Sequence, residues 1–122
     1  MSWRRHALRI VVCAAAALPA TAQAGFKTGK DVLAFCTDPS PLKQSMCLSY
    51  LQGVADGLQA AAVGVGNLCM PRDVSGPQLI EQAVAILRRA PAADQDEAVV
   101  FVAPGFAKAW ACRPPGAPER PR

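Results

Sequence analysis

Histidine is almost missing from this chain. The one copy, His6, sits in a leader-like N-terminal stretch, so the remainder lacks both the commonest general base and the commonest metal ligand. Cysteines in C-x-x-C spacing are missing too, which removes the usual arrangement of a structural zinc site. No apolar run approaches the roughly 20 residues needed to cross a bilayer. No cluster of Lys and Arg survives beyond Arg88-Arg89, so nothing marks a nucleic-acid or anionic-lipid surface. These gaps exclude most metal-dependent and acid–base enzymes. They lead us to expect no catalytic residues, no cofactor, no metal, no nucleic acid and no membrane span.

The first residues do carry a signal. Arg4, Arg5 and Arg9 form a basic region, residues 10–18 are apolar, and Ala22-Gln23-Ala24 is a small-x-small cleavage site. We read residues 1–24 as a cleavable signal peptide and expect a periplasmic protein. A lipoprotein at Cys13 fits less well, because Val12 stands where a small residue is expected; a twin-arginine signal at Arg4-Arg5 lacks the residues that should follow. The chain has 13 basic and 9 acidic side chains, net +4. Loss of three arginines with the signal brings the remainder close to neutrality. About 98 residues then remain, one small domain of a size that often relies on cross-links. Four of the five cysteines stay with it, an even number that reads as two disulfides in an exported domain.

Four helices are predicted, giving an all-α bundle over residues 25–112. The first starts at Thr28, whose T-x-x-D pattern with Asp31 resembles a capping box. Val32, Leu33 and Cys36 share its inner face, and residues 38–41, with two prolines, end it. In the second, from about Met46 to Val63, Cys47, Leu51, Val54, Leu58, Ala61 or Ala62, and Val65 form an apolar stripe. The third starts at Ser75, with Gln78 completing a capping box and Pro77 in the first turn. It buries Leu79, Ile80, Ala83, Val84 and Leu87, and Pro91 stops it. The fourth is expected from Asp94, with Val99, Val102, Ala103, Phe106 and Trp110 on one face and a kink or break at Pro104-Gly105. Residues 98–103 also have strand-like composition, but no partner strand is evident. Residues 113–122 hold four prolines and are expected to be a disordered tail.

Helix length selects the cysteine pairing. A helix from Met46 to Val63 spans roughly 27 Å. Six further residues reach at most about 21 Å, so Cys69 is badly placed to return to Cys47. Cys36 precedes the short loop to Cys47 and shares its end of the molecule. Antiparallel third and fourth helices bring Cys112 near Cys69. Cys36–Cys47 with Cys69–Cys112 is therefore expected.

The run Cys47-Leu48-Ser49-Tyr50-Leu51-Gln52-Gly53-Val54-Ala55-Asp56 resembles the C-L-x-Y-x-x-G-x-x-D signature of the Tai/Rap family, periplasmic immunity proteins against amidases delivered by type VI secretion. Cys69-Met70-Pro71, then Val74-Ser75 and Gln78-Leu79, resembles the family's second block. Gly29, Leu33, Cys36, Leu87, Pro91 and Cys112 also fit, so the likeness runs from about Gly25 to Cys112. It implies a helical, often dimeric protein that binds and occludes a secreted peptidoglycan amidase. Pro104-Gly105 departs from the family's uninterrupted last helix.

Three candidate sites follow from the residues. The segment 64–73 is glycine-rich and pinned by Cys69, which favours a preorganised recognition loop with Gly66, Asn67, Met70, Arg72 and Asp73 as partner contacts. Residues 90–95 are a second loop candidate. Gly53, Gly57 and Ala61 repeat every four residues. That spacing suits close helix packing, inside the domain or along a homodimer seam. Tyr50 and Asp56 lie six apart and so do not stack as a catalytic pair; Tyr50 is expected at the core boundary with its hydroxyl bonded, and Asp56 as a backbone anchor. The alternatives to an immunity protein are a small helical periplasmic stress chaperone and an envelope binding protein without a toxin partner.

Overall fold

The computed structural model describes residues 26–62 and 67–118. The signal read over residues 1–24, the positions Val65 and Gly66, and the end of the tail lie outside the described residues. Four α-helices make up the described domain: α1 (Gly29–Thr37), α2 (Pro41–Ala62), α3 (Gly76–Arg88) and α4 (Ala98–Ala109), with a 3-10 turn at Pro91–Asp94 before α4. Among the described residues there is no strand, only two isolated bridges.

Both expected capping boxes form. Thr28 Oγ1 accepts from the Asp31 N–H at 3.2 Å while the Thr28 N–H donates to Asp31 Oδ2 at 3.0 Å. Ser75 Oγ accepts from the Gln78 N–H at 3.4 Å, and the Ser75 N–H donates to Gln78 Oε1 at 2.8 Å. Each pair satisfies amides that the first helical turn would otherwise leave without partners.

Helix α2 begins earlier than expected, at Pro41 rather than about Met46. Ser40 Oγ accepts the Lys43 N–H, and proline stands at the first helical position, where its fixed φ suits the helix and its missing N–H costs nothing. The second proline of the connection therefore starts a helix instead of merely ending one. Gln44 Nε2 then reaches back to the carbonyls of Cys36 and Asp38, tying off the end of α1.

Helix α4 begins later than expected, at Ala98 rather than Asp94. Pro91–Asp94 closes its own 3-10 turn, and Glu97 is extended because it bridges to Thr28. Two backbone bonds seal this staple: the Gly29 N–H to the Asp96 carbonyl at 3.1 Å, and the Ala98 N–H to the Lys27 carbonyl at 2.8 Å. Gly29 is buried against the 3-10 turn, with room for no side chain.

The expected break at Pro104-Gly105 does not occur; α4 runs through both residues. Proline removes the bond to the Val100 carbonyl, but Val100 and Pro104 both face solvent, so water can satisfy the orphan oxygen. Gly105 lies against Ile86 of α3, so its missing side chain permits a close helix–helix approach.

The core is drawn from every helix. Val32 and Cys36 come from α1, Cys47, Leu51 and Ala55 from α2, and Leu79, Ala83 and Leu87 from α3. Ala93 of the 3-10 turn and Ala98, Val102 and Phe106 of α4 complete it. Trp110 meets Phe106 edge-on, with ring centroids 5.1 Å apart. Two expected faces are rotated. On α4 the buried line is Ala98, Val102 and Phe106, which leaves Val99 exposed and Ala103 half-buried. On α2 the buried line is Cys47, Leu51 and Ala55; Val54 and Leu58 sit at its margin and Ala61 is exposed.

Cys36 is bonded to Cys47 and Cys69 to Cys112, with Cα atoms 5.0 and 4.8 Å apart. The second link is framed by backbone. The Cys69 N–H donates to the Trp110 carbonyl at 2.8 Å and the Cys112 N–H to the Asn67 carbonyl at 3.0 Å, beside a bridge between Leu68 and Ala111.

Candidate functional site

The segment that leads into α3 is braced from behind. Its first described residues pair with the end of α4, and Cys69 is covalently fixed there. Asn67 is exposed but spends its carbonyl on Cys112. Met70, expected as a partner contact, is only partly exposed. It is half-buried against the core, and its sulfur accepts from Gln59 Nε2 at 3.7 Å. Arg72 and Asp73 form the exposed turn of the segment. The structure thus gathers Met70, Arg72 and Asp73 at one place but divides them by role: one packs, two project.

Beside this turn runs a polar cleft of about 260 Å³ whose walls include Gln52, Asp56 and Gln59 of α2, with Met70 and Arg72 opposite. Asp56 is therefore not the backbone anchor expected of it. It is exposed, and no hydrogen bond among the described residues reaches its carboxylate. The 90–95 segment is less available as a recognition loop, since Ala93 is buried against Gly29; Asp94 and Gln95 remain exposed.

Tyr50 lies on another side of α2, in an apolar groove of about 560 Å³ between α2 and the start of α4. Burial pushes its phenol above the ordinary tyrosine value, the Glu97 carboxylate adds to that rise, and a backbone hydrogen bond at Val99 opposes it. The phenol is therefore a neutral donor over the whole physiological range. Tyr50 and Asp56 line separate cavities, so no acid–base pair is assembled from the signature.

Gly53 and Gly57 are exposed, and a Cβ built on either meets nothing within 4 Å. Packing inside the domain, the plainer of the two readings of this repeat, is overturned. The α2 core line runs through Leu51 and Ala55, so Gly53 and Gly57 turn toward the groove instead. The groove itself escapes a sequence reading because Val99 and Ala103 look like core residues until the rotation of α4 is known.

No curated protein and no solved structure matches this chain. Residues 28–112 match the family described as Rap1a immunity proteins. That span takes in the Thr28 cap, all four helices, both disulfides and the braced turn. The chain belongs to the Rap1a immunity protein family.

Proposed function

We propose that this protein is a periplasmic immunity protein that binds a peptidoglycan amidase effector of type VI secretion and occludes its active-site cleft without chemically modifying it. The observation that carries the reading is the family match across the whole described domain, which makes a secreted effector the natural partner. Two disulfides suit a compartment outside the cytosol, in keeping with the basic and apolar signal at residues 1–24. The division of Tyr50 and Asp56 between separate cavities supports inhibition by contact rather than by reaction.

The contact we assign is the Arg72-Asp73 turn together with Gly66 and Asn67, with Met70 packed behind as its support. A turn fixed by the Cys69–Cys112 link loses little freedom on docking, and arginine offers several donors to a cleft lined by carbonyls or carboxylates. The test is to recover the partner by co-purification from the periplasm, or to express the chain with any small secreted cysteine hydrolase that proves to be encoded beside it. Binding is measured by calorimetry and muropeptide cleavage by chromatography. The expected result is a tight complex without cleavage. Replacing Arg72 and Asp73 together by alanine should weaken it at least tenfold with the melting temperature unchanged. A hydrolase that binds yet still cleaves sinks the occlusion mechanism, and failure to recover any amidase sinks the assignment of partner.

A further inference from the structure

The two disulfides differ in what surrounds them. Cys36 and Cys47 lie inside α1 and α2 and belong to the core, Cys36 being 5% exposed and Cys47 0%. Cys69 and Cys112 lie outside the four helices; Cys69 is exposed and Cys112 half-buried. Thiol–disulfide exchange requires an incoming thiolate to reach one of the two sulfurs. The outer link has one end on the surface, whereas the inner one is reached only when the bundle opens. The outer cysteines are also held together by backbone. The Cys69 N–H donates to the Trp110 carbonyl at 2.8 Å, the Cys112 N–H to the Asn67 carbonyl at 3.0 Å, and Leu68 bridges to Ala111 between them. Cutting this link breaks no helical hydrogen bond and leaves that backbone frame in place.

We propose that Cys69–Cys112 is a thiol-exchange site: a protein dithiol of the C-x-x-C class opens it reversibly while the bundle stays folded, and its opening loosens the Arg72-Asp73 turn. The reductant's thiolate attacks Sγ of Cys69. The intermolecular S–S bond forms as the Cys69–Cys112 bond breaks, and the electron pair leaves on Cys112 Sγ, which takes a proton. The reductant's second thiolate then attacks its own sulfur in the mixed disulfide and expels the Cys69 thiolate, which also takes a proton. Two electrons have passed to this chain, and the reductant ends as a disulfide. Reversal uses a disulfide oxidant, and the backbone frame favours it by keeping the two thiols side by side at high effective concentration. The consequence falls on one segment. Between Cys69 and α3 the backbone is tied within itself by a long bond, from the Val74 N–H to the Pro71 carbonyl at 3.4 Å, and Met70 against the core is its other support. Without the covalent link the turn gains freedom that docking must then remove. The exchange chemistry stands apart from the effector reading; its effect on effector affinity rests on that reading.

Differential alkylation tests it. The purified oxidised protein is incubated with dithiothreitol without denaturant, quenched in acid, alkylated, digested and read by mass spectrometry. Cys69 and Cys112 should be labelled about tenfold faster or more than the buried Cys36 and Cys47. A thioredoxin lacking its second, resolving cysteine should be trapped on Cys69. Amide hydrogen exchange of residues 67–74 should quicken once the outer link is open, while the core positions Leu51 and Ala83 stay protected. Oxidised glutathione should restore the original pattern. Equal labelling rates, earlier labelling of the buried pair, trapping on any cysteine but Cys69, or unchanged exchange in 67–74 overturns the proposal. So does a melting curve showing that the protein with only its outer link reduced is unfolded, because opening would then be denaturation. Effector affinity of that same species should fall about tenfold or more and recover on reoxidation. If affinity is unmoved while labelling and amide exchange behave as stated, the turn is not the effector contact, and it is the effector reading that fails.

Discussion

A methyl group added at Gly29 would stand 2.4 Å from the Ala93 carbonyl oxygen and 2.5 Å from its Cβ, so the staple between the N-terminal segment and the 3-10 turn must open to admit it. Gly29→Ala is expected to destabilise by about 1–3 kcal/mol, the usual cost of overpacking against backbone. Gly57→Ala is expected to do the reverse. Its Cβ meets only open space, and alanine in an exposed helix interior is favoured over glycine by about 0.8–1.0 kcal/mol. Urea unfolding of both variants checks the opposite signs. Asp31 has a pH signature of its own. Hydrogen bonding to the Thr28 backbone, then to its side chain, holds its pKa below the ordinary aspartate value. The folded pKa is thus depressed. The contribution is present above the unfolded value and is lost as pH falls through the folded one. Asp31→Asn should therefore lower the melting temperature near neutrality, and the gap to the parent should close as the carboxylate titrates in acid. A gap constant with pH would show that the capping box contributes no pH-dependent stability.

At the scale of elements, the number of helices, their inner faces in α1 and α3 and both capping boxes were legible in the sequence, because they are local. Apolar spacing and an S/T-x-x-D/Q pattern act within a turn or two of chain. What the sequence hid is non-local. Glu97 is extended because Thr28 pairs with it from far away in the chain, and that pairing delays α4 and rotates Val99 and Ala103 out of the core. Met70 looks like a free loop residue until Gln59 and the core are seen behind it. Pro104 misled for a physical reason as well. The cost of an interior proline depends on whether the orphan carbonyl meets water, and here the outer face of α4 allows it. The adjoining pair should respond in opposite directions. Pro104→Ala restores an N–H for the Val100 carbonyl and is expected to raise stability by about 1 kcal/mol, part of the peptide value being offset by the looser unfolded chain. Gly105→Ala pushes against Ile86, whose nearest atom is the flexible Cδ1, and should cost about 1 kcal/mol. Thermal melts of the two single variants separate these signs.

The molecule as a whole depends on closure at both ends of α2. Among the described residues the fully buried side chains are few and only Phe106 of them is aromatic, so the margin from burial alone is thin. Cys36–Cys47 closes a separation of 11 residues and Cys69–Cys112 one of 43, worth about 3 and about 4 kcal/mol on loop-entropy grounds. Their stability effects should be similar; their functional effects should not. Cys69 stands three residues before Arg72, and its amide is held by Trp110 at the end of α4, so this link fixes the turn we assign to the effector. Cys36–Cys47 joins α1 to α2 and touches neither the turn nor the polar cleft beside it. Replacing Cys69 and Cys112 by serine should therefore weaken effector binding at a temperature where the variant is still folded, through a turn that must be ordered on docking. Replacing Cys36 and Cys47 by serine should lower the melting temperature by a comparable amount while leaving affinity for the effector within about twofold in the folded state. Calorimetric titration of both variants with the cognate effector, well below either melting point, makes the comparison. Equal loss of affinity in the two would mean that the turn is not the contact and that binding reports only the integrity of the bundle.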